Sequence, residues 1–506
     1  MNLIESFDAL FAELRPHFNR PETYERARAL AISSLVTYGR HTITRLICSR
    51  ARQLQDWSAD YKFYSKREWD AQELFFEVLK QCDPHSHWPE DAIVMAMDDS
   101  LYRKTGKQIA SVRTLRDPMS LPFHTNLIRG VRFIQASVLI TPEEKLQYAR
   151  AIPVYFEEAP PAKKPGKRAS EELKEQFKQA QKENRISVRG HQAALQIRKQ
   201  VDQLPGGKSR GLFLTVDGSY CNGNFLRDLP NNIIPIARAR KDLKLFALIS
   251  DSERNRMGRH RIYGEPLPTP EEIRQNKDIY PWQTAPVFAV GKSHNVRYKV
   301  VAPVLWKKAT LGHPQRLIII APLRYRNNAT APLLYRKPAY LLTPDLESPI
   351  EFILQYYFFR WDIEVNHRDE KSLLGLGDAQ VRSPKSVKRQ PQFSVLIYGL
   401  LMLASIQAYG ARRTDDYLPL PKWRKKTDRR PSTLDIVGQF RREAMLMQLQ
   451  KSLKLQQTTK PEKKKRKRPR SNIEARKRGF VNDDKERQSV LKLPINMISA
   501  LLYADS

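Results

Sequence analysis

An α/β core, interrupted by a mainly β insertion and preceded by a helical domain, is the fold that this sequence predicts. Three observations predict it. Two short apolar runs, Ala92–Met97 and Gly211–Val216, each stop at an acid, as buried strands do where an α/β sheet delivers a side chain to a cleft. The stretch from Tyr356 to Lys371 has helical spacing, and at about 100° per residue Tyr357, Arg360, Glu364 and Lys371 project within roughly 60° of one another. Between the second run and that helix lie short β-like runs, far more chain than a single crossover needs.

Composition narrows the class of partner. The 506 residues allow two or three domains, and 41% apolar content supports a sizeable core. The 88 Lys and Arg against 54 Asp and Glu give a formal charge of +34, which points to a polyanion and first to nucleic acid. No apolar run reaches the roughly 18 residues that span a bilayer, and the N-terminus has no basic region followed by an apolar core. A cytoplasmic, nucleoid-associated protein without a membrane partner is therefore expected. Cys48, Cys82 and Cys221 are too few and too scattered for a disulfide framework or a zinc module.

Residues 1–85 have helical apolar spacing throughout, as in Leu10–Leu14 and Leu30–Val36, and Thr42–Arg52 adds a basic helical segment. This region reads equally as a DNA-binding domain and as a scaffold packed on the core, since no firm helix-turn-helix pattern is present. Residues 86–230 begin the core. Ala92–Met97 is a strand that ends at Asp98, Asp99 and Ser100; alternation turns Asp99 away from Asp98, and an exchange of the two stays open. Asn126–Ile140 reads as one or two further strands of the same sheet. Pro160–Arg168 is an extended Pro/Lys connection, and Ser170–Leu204 a polar helix closed by Gly206 and Gly207. Gly211–Val216 then runs into Asp217, with Gly218 suited to a sharp turn.

Residues 231–340 read as the β-rich insertion, from Ile233–Arg240 through Pro286–Val290, Val296–Val304 and Leu317–Ala321. Arg238 and Arg240 alternate with apolar residues, and Arg254, Arg256, Arg259, His260 and Arg261 form a basic loop. Both sets are candidates for phosphate contact, against the alternative of a solvated edge. Residues 341–410 complete the core with the Tyr356–Lys371 helix and an apolar helix at Val395–Ala404, too short to be transmembrane. Residues 411–506 are basic, with a helix near Leu434–Leu453 and a like-charge block at Lys463–Arg470 that stays disordered without a polyanion.

Taken alone, Arg360 with Glu364 and Glu364 with Arg368 are i,i+4 pairs that support exposed helices by a few tenths of a kcal/mol. The aromatic and β-branched setting of Glu364 argues for more, because a carboxylate held there needs a cation or a metal. The spacing Tyr-(2)-Arg-(3)-Glu-(6)-Lys resembles the signature of the DDE transposases of bacterial insertion sequences, in the insertion-sequence-four-like superfamily. The resemblance covers roughly residues 90 to 410. It implies a ribonuclease H-like core in which Asp98, Asp217 and Glu364 are the three metal-binding carboxylates and Tyr357, Arg360 and Lys371 grip DNA phosphates.

It further implies that the N-terminal region 1–85 binds DNA, an insertion lying over the active site, a homodimer in the synaptic complex, cutting at terminal inverted repeats and joining of the 3′ ends to target DNA. Carboxylate and phosphate oxygens suit two Mg²⁺ or Mn²⁺ ions per site, one activating the nucleophile and one stabilising the leaving oxygen. Two alternatives stay open. A metal-dependent nuclease of the same fold would share the acids without needing the phosphate grips, and a host-adopted, non-catalytic DNA-binding protein would share only the charge.

Overall fold

The structure, a computed structural model, describes residues 2–458 apart from 107, 110, 118–119, 122, 142–147, 250–260, 290, 326–331 and 421–429, and for 451–458 the backbone alone. Most of the expected basic loop (Arg254, Arg256, Arg259, His260), the basic stretch at Lys422–Lys426 and the block at Lys463–Arg470 lie outside the described residues.

The chain opens with five helices: α1 (Leu3–Ala12), α2 (Pro21–Val36), α3 (Ile43–Ser49), α4 (Ser58–Ser65) and α5 (Ala71–Cys82). Their starts are written locally, by a capping box between Asn2 and Glu5 at α1 and by Thr42 and Asp70 capping α3 and α5. Four strands follow, β1 (Ile93–Arg103), β2 (Arg113–Arg116), β3 (Leu127–Ile140) and β4 (Arg150–Glu158), then α6 (Glu171–Glu183), α7 (Ile186–Val201), β5 (Leu212–Val216), the single turn α8 (Gly223–Leu226) and β6 (Ile233–Arg238). The helix expected over Ser170–Leu204 is thus two helices. It breaks at Asn184, whose side chain donates back to the Ala180 carbonyl and ends the first of them.

The run continues with α9 (Pro270–Gln275), β7 (Gln283–Ala289), β8 (Lys292–Val304), β9 (Gln315–Ile320), the small pair β10 (Arg324–Tyr325) and β11 (Leu334–Tyr335), and β12 (Ala339–Thr343). Four helices close it: α10 (Ile350–Phe359), α11 (Trp361–Ser372), α12 (Pro384–Tyr409) and α13 (Thr433–Thr458). The strands join in the order β2-β3-β1-β5-β6-β12-β9-β8-β7, with β4 also on β3. β1, β5 and β6 are parallel neighbours, whereas β3, β4 and β12 pair antiparallel. β6, assigned to the insertion on sequence, is therefore paired directly to β5. The strands expected beyond it are hydrogen-bonded into the same sheet through β12.

Strand parity divides the core between two faces. Met95, Met97, Leu212, Leu214 and Val216 face one cluster with α7, α12 and the N-terminal helices. Val94, Ala96, Phe213 and Ile236 face the other, with Ile353, Tyr356, Phe359 and Ile363 of α10 and α11. Helix α12 is the spine of the first cluster, packing on β4 and on α1, α2, α4 and α5, so the N-terminal helices share a core with the sheet. It is 26 residues long, not the ten or so that its apolar run implied, and by length and composition it passes as a membrane span. Within the protein 83% of its most apolar window is buried, so that surface is already covered by the sheet and the helical layer. Arg50, one of the basic residues of the N-terminal segment, is likewise committed to packing. It and Arg26 reach the buried Asp60 at 2.7 and 2.8 Å.

Candidate active site

Sequence reasoning ended the first strand before its acids. The structure instead carries β1 through Asp98 and Asp99 to Arg103, because Met95–Arg103 pairs continuously with β3. Alternation then separates the two acids. Asp98 continues the face of Val94 and Ala96, toward α10 and α11, whereas Asp99 continues the opposite face and accepts from the Tyr220 hydroxyl at 3.4 Å. Tyr220 fits there because Gly190 carries no side chain, since a Cβ on it would lie 2.4 Å from the ring.

The register brings further residues level with Asp98. Met97 pairs with Val216 and Val216 with Ala237, so one step on, Asp98, Asp217 and Arg238 stand side by side where the parallel pairing of β1, β5 and β6 ends, with β1 continuing past it to Arg103. Arg238 is exposed there. Asp217 Oδ1 accepts from the Ser219 amide at 2.9 Å and from its hydroxyl at 2.5 Å, which closes the turn. Gly218 is not in the left-handed region, and a Cβ there would meet only the Arg238 carbonyl at 3.6 Å. The turn is therefore made by the Asp217 and Ser219 side chains and not by a glycine conformation.

The stretch expected as one helix is two, meeting at Arg360, whose amide is shared between the Tyr356 and Tyr357 carbonyls at 3.2 Å each. The turn tightens there without leaving the helical region, so the i,i+4 geometry survives. Arg360 is buried, 2.8 Å from Glu364 and 3.9 Å from Asp98, so its guanidinium stands between the two carboxylates. Two turns after Glu364 the stripe is met again. Lys371 donates to Ser100 at 2.7 Å and lies 5.0 Å over the Tyr102 ring. The stripe thus reaches β1 at two points and is not a purely solvated ladder. Tyr357 is half-buried in the same face, while Arg240 is exposed and paired through both nitrogens with Asp242 at 2.9 and 3.0 Å.

A second row on α11 went unread in the sequence. Asn366, His367 and Glu370 are buried beside Ile363. Gln135, the cross-strand partner of Asp98, donates to Glu370 at 3.0 Å, and Tyr398 donates to Asn366 at 2.9 Å. The signal was the i, i+3, i+4, i+7 spacing of Ile363, Asn366, His367 and Glu370, which is that of a buried face despite its polarity. Both His367 nitrogens and one Glu370 oxygen have no hydrogen-bond partner among the described residues, and His367 Nδ1 faces that oxygen at 3.8 Å.

These surroundings tune Asp98. Burial raises its carboxyl from an ordinary 3.8 to about 6; the charge of His367 opposes the rise, Asp217 and Asp99 add to it, and Arg360 again opposes it. Asp99 is raised too, first by burial. A carboxyl whose folded value is raised favours the folded state while protonated. That contribution is fully present below about pH 4 and is lost as pH rises through about 6. Without metal, the melting temperature should therefore fall between about pH 4 and pH 6, and Asp98→Asn should flatten that fall. Thermal unfolding of both proteins across this range checks it, and parallel curves would contradict the assignment.

A family model described as DDE superfamily endonuclease matches residues 13–297, more than half of the 506. The chain belongs to this family. No curated protein matches it. The DDE endonuclease match takes in Asp98 and Asp217 and stops short of Glu364, so the helix carboxylate rests on geometry and on its spacing. Membership makes DNA the substrate class and a divalent metal the expected cofactor of this DDE nuclease.

The residues fit such an ion in kind. Asp217 stands beside Asp98 and adds to its cost of ionising, which a cation would relieve, and the Arg360 guanidinium supplies positive charge between Asp98 and Glu364. Among the described residues no three His, Cys, Asp or Glu side chains are close enough to hold a metal as they stand. A cavity of about 380 Å³ lies apart from these acids, lined by Leu226–Asn231 and Ala309–Leu311.

Proposed function

We propose that this DDE endonuclease is a DNA transposase that cuts at the terminal inverted repeats of an insertion sequence and joins the 3′ ends to target DNA. One observation carries the reading. Asp98 within β1 and Asp217 just after β5 stand level on adjacent parallel strands, and Arg360 and Glu364 lie over the face to which Asp98 points. Acids level on adjacent parallel strands where their pairing ends, facing a carboxylate on a helix, support the ribonuclease H-like core, with the strands that join the sheet beyond β12 as its β insertion.

In this reading Asp98, Asp217 and Glu364 hold two Mg²⁺ or Mn²⁺ ions. Bound there, the ions supply an activated nucleophile and charge for the leaving oxygen. The chain itself orients. The β1–β5 register fixes the spacing of the two aspartates, and the Asp217–Ser219 turn keeps one oxygen of Asp217 engaged. Arg360 is shared between acids, and Lys371 is steadied over Tyr102. Tyr357, Arg360 and Lys371 grip phosphate of the end being cut, and Arg238 and Arg240 contact phosphate farther along, Arg240 by leaving Asp242. The N-terminal helices contribute DNA binding and the basic C-terminal region tethers backbone. The protein works as a homodimer on paired ends in the bacterial nucleoid.

The test is an assay of the full chain with Mg²⁺ on duplexes carrying the element's ends, beside random duplexes and a target plasmid. Cleavage at the ends and their joining to the plasmid, both stopped by chelation, is the expected result. Chelator-sensitive nicking of every duplex without joining would instead identify a plain nuclease.

A further inference from the structure

Helix α11 is held from outside by a short segment that neither the acids nor the phosphate grips account for. Arg430 donates through both guanidinium nitrogens to Asp362, at 2.6 and 2.7 Å, and also to the Ala149 carbonyl. Three residues later the Thr433 hydroxyl donates to buried Asp369 at 2.6 Å. Between them the Pro431 carbonyl accepts from buried Arg150 at 2.9 Å, whose other nitrogen rests on the Met402 sulfur at 3.3 Å. The segment then passes into α13, capped by Ser432 and Asp435.

Helical geometry says what this grip does. Asp362 and Asp369 are seven residues apart, so they lie roughly 20° from one another on one stripe and about 10 Å apart along the axis. Glu364 projects roughly 140–160° away from that stripe. Two anchors, made of three short bonds, thus hold the back of α11 while Glu364 and Arg360 work at the front. A bidentate Arg–carboxylate pair fixes orientation as well as distance, and Ala149 ties the same guanidinium to the chain entering β4. The segment therefore references α11 to the sheet that carries Asp98.

We propose that residues 430–433 are a strap that sets the pose of α11 over the sheet, making Arg430 and Thr433 positioning residues for Glu364. The proposal rests on the reading of Glu364 as a metal ligand. The strap touches neither substrate nor the three acids read as metal ligands; it acts by keeping the Glu364 carboxylate at a fixed place relative to Asp98 and Asp217. Loss of either anchor lets the helix rotate or lift, which weakens metal binding before it weakens the fold.

The experiment measures Mn²⁺ binding to the full chain without DNA, from the paramagnetic signal of free Mn²⁺, beside thermal unfolding. Thr433→Val, which keeps the shape and removes the hydroxyl, and Arg430→Met should each weaken Mn²⁺ binding by about tenfold, the scale on which residues behind metal ligands act. Thr433→Ser should restore wild-type binding. Phe393→Leu, a packing change in α12, serves as the control for simple destabilisation and should leave Mn²⁺ affinity unchanged.

Wild-type affinity in both strap variants, with Glu364→Gln weakened, overturns the strap alone. So does a loss matched by Phe393→Leu, or one that Thr433→Ser fails to restore. Undiminished Mn²⁺ binding by Glu364→Gln overturns the ligand assignment and the strap with it.

Discussion

Glu364→Gln leaves DNA binding nearly intact and reduces strand cleavage on the order of 10³-fold, a loss of about 4 kcal/mol in transition-state stabilisation. The substitution is nearly isosteric and keeps one hydrogen-bond acceptor for Arg360, now at 2.8 Å, so the fold has little reason to change. What it removes is a charge and a ligand oxygen. Asp98→Asn and Asp217→Asn behave alike, because the register sets them level at the edge of β1 and β5. Asp99→Asn keeps activity, because that side chain points to the opposite face and bonds Tyr220. Single-turnover cleavage of an end duplex, read beside a binding titration, checks all four. A dead Asp99→Asn with an active Asp98→Asn would exchange their roles.

The largest stability effect belongs to Phe393. Its ring lies 5.0 Å from that of Phe63, 6.1 Å from Tyr64 and 5.9 Å from Trp69, so α12 meets α4 and the segment leading into α5 through one aromatic cluster. Phe393→Ala removes the centre of that cluster at a residue only 1% exposed, and a buried Phe→Ala change costs about 3–5 kcal/mol. The cavity cannot close easily, because Phe63 packs on both Tyr64 and Trp69 and the three rings would have to move together. The melting temperature should fall by about 5–10 °C, and the N-terminal helices should become the region most open to limited proteolysis. An unchanged melting temperature would mean that the helical layer is not held through this contact.

Much of this arrangement is written locally. The apolar runs at Ala92–Met97 and Gly211–Val216 announce strands by length and by the acids that follow, and parity alone separates Asp98 from Asp99. The stripe Tyr357, Arg360, Glu364 and Lys371 survives even though its helix breaks at Arg360, since the break stays within helical dihedrals.

What was hidden depends on partners far along the chain. Asn366, His367 and Glu370 look like a solvated face until Gln135 and Tyr398 arrive to meet two of them. Arg50 looks like a DNA contact until Asp60 takes it. The attachment of the later strands to the core depends on Leu341 and Leu342 pairing with Arg238 and Ala237, which no local pattern encodes. Arg430 is one basic residue among many in the tail, and only Asp362, on a helix formed much earlier, gives it a place.

The central claim is that Asp98, at the head of a row of acids, is a direct ligand for the divalent ion that drives strand cleavage. A thiolate is a softer ligand than a carboxylate and suits Mg²⁺ poorly, whereas Mn²⁺ tolerates it better. The most direct measurement is therefore cleavage of an end duplex by Asp98→Cys in Mg²⁺ and in Mn²⁺, beside the wild-type protein. The account predicts no detectable cleavage in Mg²⁺ and partial recovery in Mn²⁺, while the wild type is active in both. Equal activity of Asp98→Cys in the two metals, whether high or absent, would contradict it.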